Sequence, residues 1–437
     1  MKRGMVVAVL MAVLLGMTGS ALAEVKIQMW TQEGEADGGF QFVQKLTKAF
    51  MEKNADIKID LVTKDTEILR EDYQTASLAG NAPDLLWTVS DHAGPFTKAN
   101  LLQPVDELFD LKIFVESAVK GVQLNGKTWG VPVANGNHLM LMYNKDFVKE
   151  PPQDTDALIK LGKGVLTEEG AAGALLKAGT DLLKKPDAGA LAKAGKDLAQ
   201  EMRYGLVWNQ VEPFWVTPWL GGFGGKVFAE DGVTPTLDTP EMVATLKFLF
   251  DLKFTHKIMP PESDYDGASA LFKEGKAAML INGDWSIGDY KKALGEKFAV
   301  APIPKVTATG KWPSPYTSGK FLMISAGVKD QKLEAIMKIV DFMTSEASQI
   351  DMIKTLSRLP ALKKALDNEL IKNDPILKGS AAQMQVGTPM PVVMQMRCNW
   401  DGMKPELNAV LAGQKSPEEA AKAMQASADA CVKGLQK

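Results

Sequence analysis

Apolar and polar residues alternate from Val25 to Trp30, a period of two that predicts a β-strand. A glycine-containing loop, Gly34 to Gly39, follows, and then Phe40, Val43, Leu46 and Phe50 recur at helical spacing. Ile57, Ile59 and Leu61 alternate again as a strand. Residues 67–79 read as a helix, and Pro83 precedes a third apolar run, Leu85-Leu86-Trp87. Strand, helix, strand, helix, strand is the order of a parallel sheet flanked by helices. Ligands of such sheets collect beyond the carboxyl ends of the strands. Trp30 through Glu35, which includes Gln32 and Glu33, occupies one such end, and Thr88 through His92 occupies another.

Further along, Asn125-Gly126 signals a turn between two apolar strands. Trp129 to Val133 leads into Asn135-Gly136-Asn137, a polar patch that reads as a crossing from one lobe to another, and Leu139 to Tyr143 resumes as a strand. Residues 151–201 are rich in Ala, Gly, Lys and Leu. The run Gly173-Ala-Leu-Leu-Lys-Ala-Gly179 recurs as Gly189-Ala-Leu-Ala-Lys-Ala-Gly195, which predicts two short amphipathic helices broken near Pro186. A solvated structural insert is the simpler reading of this segment, and a partner-binding role is the alternative. Gly221-Gly222-Phe223-Gly224-Gly225 lacks a following lysine and threonine and reads as a turn. Ser416-Pro417-Glu418-Glu419 is a helix start, and Ala420, Met424, Ala428, Cys431 and Leu435 form its apolar stripe.

The first residues carry a different signal. Lys2 and Arg3, an apolar run from Met5 to about Met17, and Ala21-Leu22-Ala23 have the form of a cleaved secretory leader, residues 1–23, too short to span a membrane. No cysteine follows Ala23, so no lipid anchor is expected. Removing the leader leaves 414 residues, more than one hydrophobic core usually holds, so two lobes are expected. The net charge of −3 becomes −5 once Lys2 and Arg3 are gone, and no basic face suggests nucleic acid. Cys398 and Cys431 are the only cysteines. In an oxidising compartment they either pair or remain separate buried thiols, and spacing does not decide between the two. Two cysteines and the scattered His92, His138 and His256 offer no ready metal site.

Candidate chemistry centres on the nine tryptophans. Trp30, Trp87, Trp285 and Trp400 each lie beside a turn or loop with polar residues, and Trp208, Trp215 and Trp219 cluster around Glu212. Indole faces stack on the apolar faces of sugar rings, while carboxylates and amides take the hydroxyls. Asp91, Glu33, Asn137 and Glu212 are the polar neighbours to expect. Any one of these tryptophans could be a core anchor instead. Their repeated placement at strand ends favours binding. No Walker loop, His-Glu-x-x-His pair or Gly-x-Ser-x-Gly elbow occurs, so no enzyme activity and no cofactor are expected.

Ala82-Pro83-Asp84-Leu85-Leu86, Tyr143-Asn144-Lys145-Asp146, Phe272 to Met279 running into Ile281-Asn282-Gly283-Asp284-Trp285, and Pro389-Met390 through Trp400 add a further layer. In this order the chain resembles the extracellular solute-binding proteins of ABC importers, in the sugar-binding group that contains maltose-binding protein. The resemblance implies an α/β, two-lobed periplasmic-binding-protein fold, each lobe a mainly parallel sheet flanked by helices, joined by a multi-crossing hinge. It places residues 24–136 and 305–345 in the N-terminal lobe and 137–304 and 346–437 in the C-terminal lobe. It also implies a periplasmic monomer that binds an oligosaccharide or disaccharide between the lobes and delivers it to membrane permease subunits. Trp285, Trp400, Asp91 and Glu212 match the residue types of the group's maltose site. Phe214 stands for a tyrosine, His92 for an arginine, Asn137 for a glutamate, Thr88 for a tryptophan, Asp401 for a tyrosine and Lys404 for an arginine. The expected ligand contacts are thus Trp30, Gln32, Glu33, Thr88, Asp91, His92, Asn137, Glu212, Phe214, Trp215, Trp285 and Trp400, with maltose itself in question. The rivals are a non-sugar solute such as a polyamine in the same fold, or an exported glycoside hydrolase.

Overall fold

The computed structural model describes residues 24–35, 38–165 and 203–435. The leader and the repeated part of the Ala/Gly/Lys-rich segment, including the helix break expected at Pro186, lie outside the described residues. The strands are β1 (Val25–Thr31), β2 (Ile57–Thr63), β3 (Leu85–Val89), β4 (Gln123–Leu124), β5 (Lys127–Thr128), β6 (Val131–Gly136), β7 (Leu139–Asn144), β8 (Tyr204–Trp208), β9 (Ala277–Gly283), β10 (Phe298–Ala301), β11 (Tyr316–Ile324) and β12 (Thr388–Pro389). The helices that bear on the site are α1 (Gly39–Lys53), α2 (Thr66–Leu78), α3 (Ala93–Lys98), α4 (Thr155–Val165), α5 (Thr217–Phe223), α6 (Pro240–Phe250), α7 (Tyr265–Lys273), α8 (Ile287–Leu294), α9 (Asp330–Thr344), α10 (Glu346–Leu356), α11 (Pro375–Gln385), α12 (Gln395–Leu411) and α13 (Pro417–Leu435).

Two sheets organise two lobes. One runs β12-β11-β3-β1-β2, with β6 also paired to β11, and the other runs β10-β7-β9-β8. β1 pairs in parallel with both β2 and β3, as the strand–helix–strand order implied. β11 runs antiparallel to β3 and to β6. In the second sheet only the β8–β9 pair is parallel. A mainly parallel sheet in each lobe was expected, and strand direction departs from it: both sheets are mixed, and the second is mostly antiparallel. β11 enters its sheet from the other lobe, so no crossover helix obliges it to run parallel to its neighbours.

The inner strands β3, β7 and β9 are buried on both faces, which is why they read as near-continuous apolar runs, whereas the edge strand β2 alternates buried and exposed positions. Successive side chains point to opposite sides. Ile27, Met29 and Trp87 pack with Phe42, Val43, Leu46 and Phe50 of α1. Trp30 and Leu86 face Leu69, Tyr73 and Phe96 on the other side. Phe42 takes the buried position on α1, while Phe40 is half-buried. In the second sheet Leu139, Leu141 and Tyr143 face one core and Met140 and Met142 the other. Met352 and Leu356 of α10 belong to the core around β1, downstream of the crossing expected at 345.

Local signals explain several boundaries. Asn125 and Gly126 both adopt positive φ (54° and 73°), the primed turn that a short hairpin between β4 and β5 requires. Ser416 and Glu419 form a reciprocal capping box before α13: the Glu419 N–H donates to Ser416 Oγ at 3.2 Å, and the Ser416 N–H to Glu419 Oε2 at 3.1 Å. The glycine run read as a turn instead begins inside α5, and Gly224, at φ 94°, caps that helix. Cys398 and Cys431 are joined, with Cα atoms 5.5 Å apart, and tie α12 to α13.

Only Asn137 and His138 separate β6 of the first sheet from β7 of the second. The turn is pinned by Asp284, whose Oδ2 accepts the Asn137 N–H at 3.1 Å. The Asp284 N–H in turn donates to His138 O at 3.1 Å. β10 belongs to the second sheet and β11 to the first, and α10 packs in the core around β1 while α11 packs on β10.

Candidate functional site

At the junction of the lobes lies a row of aromatic rings. Phe214 is central: its ring centre is 6.2 Å from Trp285, 6.3 Å from Trp400 and 6.4 Å from Tyr316. Trp400 and Tyr316 lie 6.1 Å apart. Trp215 stands edge-on behind Trp285 at 6.1 Å and is 6 % exposed, with its indole N–H donated to Ile281 O at 2.9 Å. Trp285 donates its own N–H to Tyr265 Oη at 3.1 Å. These ties fix the indole planes, leaving Phe214, Trp285 and Trp400 only partly buried.

The short connections supply the geometry. β9 ends at Gly283, and Trp285 follows in the one-turn helix Asp284–Ser286. A Cβ on Gly283 would come within 2.1 Å of the Trp285 ring, so only glycine lets the indole fold back there. Phe214 and Trp215 sit in a similar turn, Pro213–Trp215, before α5.

The first lobe contributes polar groups. Asp91 follows β3 in the turn Ser90–His92 and accepts a hydrogen bond from Trp400 of the other lobe. Burial, with Glu67 adding to it, pushes the Asp91 carboxyl up to about 6. His92 is 1 % exposed; Thr88 Oγ1 lies 2.7 Å from its Nδ1, and Nε2 makes no hydrogen bond among the described residues. Burial holds its pKa down at about 3, so the ring is neutral near pH 7. On the second lobe Glu212 is paired with Lys404. Arg397 of α12 bridges to Glu67 of α2 across the cleft, and Arg70 reaches the same carboxylate at 3.2 Å. Burial works against the Glu67 carboxylate, but Arg397 leads the neighbours that hold its pKa below the ordinary value.

The structure thus gathers Asp91, Phe214, Trp215, Trp285 and Trp400 and separates other expected contacts from them. Trp30 is a core side chain, 8 % exposed, with the Lys64 ammonium 4.5 Å from its ring centre. Gln32 is 8 % exposed and accepts from Thr66 at 2.9 Å. Thr88 is fully buried and spent on His92. Glu33 is occupied from within: Trp87 Nε1 donates to it at 2.9 Å and Arg358 at 2.8 Å. Asn137 holds the hinge through its backbone N–H. Position at a strand end was the signal for the first four. In a sheet covered on both faces, alternate residues at a strand end still point into the core, so position alone does not select the exposed ones. Tyr316, Tyr265, Glu67, Arg70, Arg397, Arg358 and Lys320, whose ammonium lies 5.6 Å from the Trp285 ring centre, were not anticipated. Arg397 was findable, because it lies one helical turn before Trp400 and Asp401. Arg358, between Ser357 and Leu359, carries no such local signal.

Among the described residues no cluster of three or more His, Cys, Asp or Glu could hold a metal, and no helix is long and apolar enough to cross a membrane. The sequence pattern of the family described as bacterial extracellular solute-binding protein matches residues 45–379. The chain belongs to that family. It is 28% identical to the maltotriose-binding protein of Pyrococcus abyssi, covering 89% of this chain and 81% of that one. It is 26% identical to a maltooligosaccharide ABC transporter solute-binding lipoprotein of Streptococcus pneumoniae, covering 95% and 93%. Among solved structures it resembles the maltose/maltodextrin-binding domain MalE of Bdellovibrio bacteriovorus bound to maltotriose, with a TM-score of 0.82, 36% identity, and 94% and 100% of the two chains covered. Family members of this kind bind solutes rather than transform them, and the two-lobed α/β fold is theirs.

Proposed function

We propose that this family member captures a linear oligosaccharide of the maltodextrin class between its lobes and passes it to the permease subunits of an ABC importer. The row formed by Phe214, Trp285 and Trp400 carries the reading, since partly exposed rings at a lobe junction offer stacking faces to a sugar. The relatives named above support it. Asp91, His92 Nε2 and Glu212 are the polar groups assigned to the hydroxyls, and Trp215 backs the row. The mature protein is taken to be a periplasmic monomer released from the leader at residues 1–23, with the lobes changing over at 136–137, between 301 and 316, and between 366 and 375.

Capture follows from hinge closure. Saccharide settles on the aromatic row of the second lobe, and the first lobe closes to bring Asp91 and His92 to it. Greater affinity for the closed form shifts the population towards it. A polyamine fits less well, because three carboxylates are already matched, Glu67 with Arg70 and Arg397, Glu33 with Arg358 and Glu212 with Lys404, which leaves Asp91 as the acidic group without an ion pair among those named. Titration calorimetry of the mature protein with mono-, di- and oligosaccharides tests the reading. Heat of binding from a linear α-glucan supports it, and silence from every sugar with binding of spermidine overturns it.

A further inference from the structure

One face of α12 carries Arg397, Trp400, Asp401 and Lys404, three or four residues apart and so on one side of the helix. Arg397 reaches furthest. Its guanidinium pairs with Glu67 of the opposite lobe and, at 2.7 Å, with Asp401 on its own helix. The Arg397 and Glu67 side chains are 27% and 47% exposed, so the bridge lies at the mouth of the cleft and not on its floor. Beside it, Asp91, Pro95, Met396 and Trp400 line a recess of about 10 Å³. That is room for about one water and not for a sugar ring. The aromatic row meets this bridge at Trp400, which lines the recess together with Glu67 and Arg397, whereas its ring neighbours Phe214 and Tyr316 do not.

We infer that the Glu67–Arg397 pair is an end-stop that sets the length of saccharide the closed cleft accepts, by barring a chain from continuing past Trp400. This rests on the saccharide reading above and goes beyond it. A ligand confined to the row leaves the bridge intact and gains full closure. A longer chain running past Trp400 parts guanidinium from carboxylate and holds the lobes ajar. The bridge needs a group from each lobe, so it discriminates only on closing. Discrimination of this kind comes from a penalty on the wrong ligand, not from a better grip on the right one.

Because the pair is partly exposed, the penalty is modest, about fivefold in affinity, and salt weakens it. Calorimetric titration of the mature protein with linear α-1,4-glucans, from disaccharide to heptasaccharide, is the test. Wild-type affinity is expected to rise to a short oligomer and then fall. Arg397→Ala and, from the other lobe, the milder Glu67→Gln are each expected to raise heptasaccharide affinity about fivefold relative to the trisaccharide. Added salt is expected to narrow the wild-type difference. A length ranking that is flat in wild type, or unchanged in both variants, overturns the end-stop and leaves the saccharide reading standing. No binding of any α-glucan overturns both.

Discussion

Glu33 and Arg358 meet at 2.8 Å with both side chains 2 % exposed, and this pair joins the end of β1 to the other lobe, because Arg358 also donates to Trp285 O at 3.2 Å. Burial alone would raise the Glu33 pKa. Arg358 first, then Lys320 and the hydrogen bonds from Arg358 and Trp87, overcome it and hold the carboxyl at about 2, below its usual 4.5. The folded value lies below the unfolded one, so the ionised group stabilises the fold above about pH 4.5, and that contribution is lost as pH falls towards 2. Arg358→Ala strands a buried carboxylate and is expected to cost about 3–5 kcal/mol at neutral pH. Urea unfolding across this pH range reads it: the loss should shrink in acid, and a pH-independent loss would assign Arg358 a packing role only.

Asp91 shifts in the opposite sense. Burial, then the Glu67 charge, lifts its pKa from 3.8 to about 6, against the hydrogen bonds it accepts. The folded value exceeds the unfolded one, so the charged form is a cost that grows from about pH 4 to 6 and is fully present above it. Asp91→Asn is expected to raise stability at pH 7, by about 1 °C in Tm for each kcal/mol recovered in a chain of this length, and to leave acid stability unchanged. Differential scanning fluorimetry at both pH values decides it; equal gains at both would remove the charge as the cause.

Trp400→Ala removes one stacking face and the donor to Asp91. Saccharide affinity is expected to fall by about 1–3 kcal/mol, while unfolding free energy changes less than it does for Trp285→Ala. The contrast follows from packing: Trp285 is hydrogen-bonded to Tyr265 and packed on Trp215 and Phe214 within its own lobe, whereas the hydrogen bond of Trp400 goes across the cleft to Asp91, beside its contacts with Phe214 and Tyr316. Titration calorimetry and urea melts on both variants measure the two quantities. Unaltered affinity in Trp400→Ala would take that ring out of the site.

How much of this was legible in the sequence depends on the range of the signal. Periodicity over a few turns located β1, α1, β2, α2 and β3, because amphipathic spacing is a local property of the chain. The capping box at Ser416 and the Asn125-Gly126 turn are local too. Strand direction in the second sheet was not, since β10 pairs with β7 across a long separation that no local pattern records. Trp285, Trp400, Phe214 and Asp91, singled out by family resemblance, lie together in the structure. It said nothing of Arg397 and Glu67, which pair across 330 residues. Glu33 and Trp30 stand at a strand end yet are buried, because a strand end predicts a location and not the direction of a side chain.

The Cys398–Cys431 bond closes a loop of 33 residues between α12, which carries Trp400 and Arg397, and α13. Limiting the unfolded chain in this way is worth about 3–4 kcal/mol in the loop-entropy picture. A double Cys→Ser variant is expected to lose that much stability in urea, and reductant should lower the wild-type protein to the same level. Reductant that leaves the wild-type curve in place under denaturing conditions would mean the bond adds nothing.

Gly136 is the tightest point of the hinge. Its φ is +148°, a conformation that L residues rarely adopt, and a Cβ there would lie 2.0 Å from Asp284 Oδ2. That oxygen is the one that accepts the Asn137 N–H, so the added methyl has no space unless the carboxylate leaves the hinge. Gly136→Ala is therefore expected to cost about 1–3 kcal/mol of stability and to weaken saccharide binding, because the crossing can no longer be held in its closed geometry. Small-angle scattering with and without ligand should show a smaller compaction than in wild type. If the clash is the cause, Asp284→Ala relieves it, and the double variant loses less than the sum of the singles. Additive losses would place the strain in the backbone of Gly136 itself and not in its contact with Asp284.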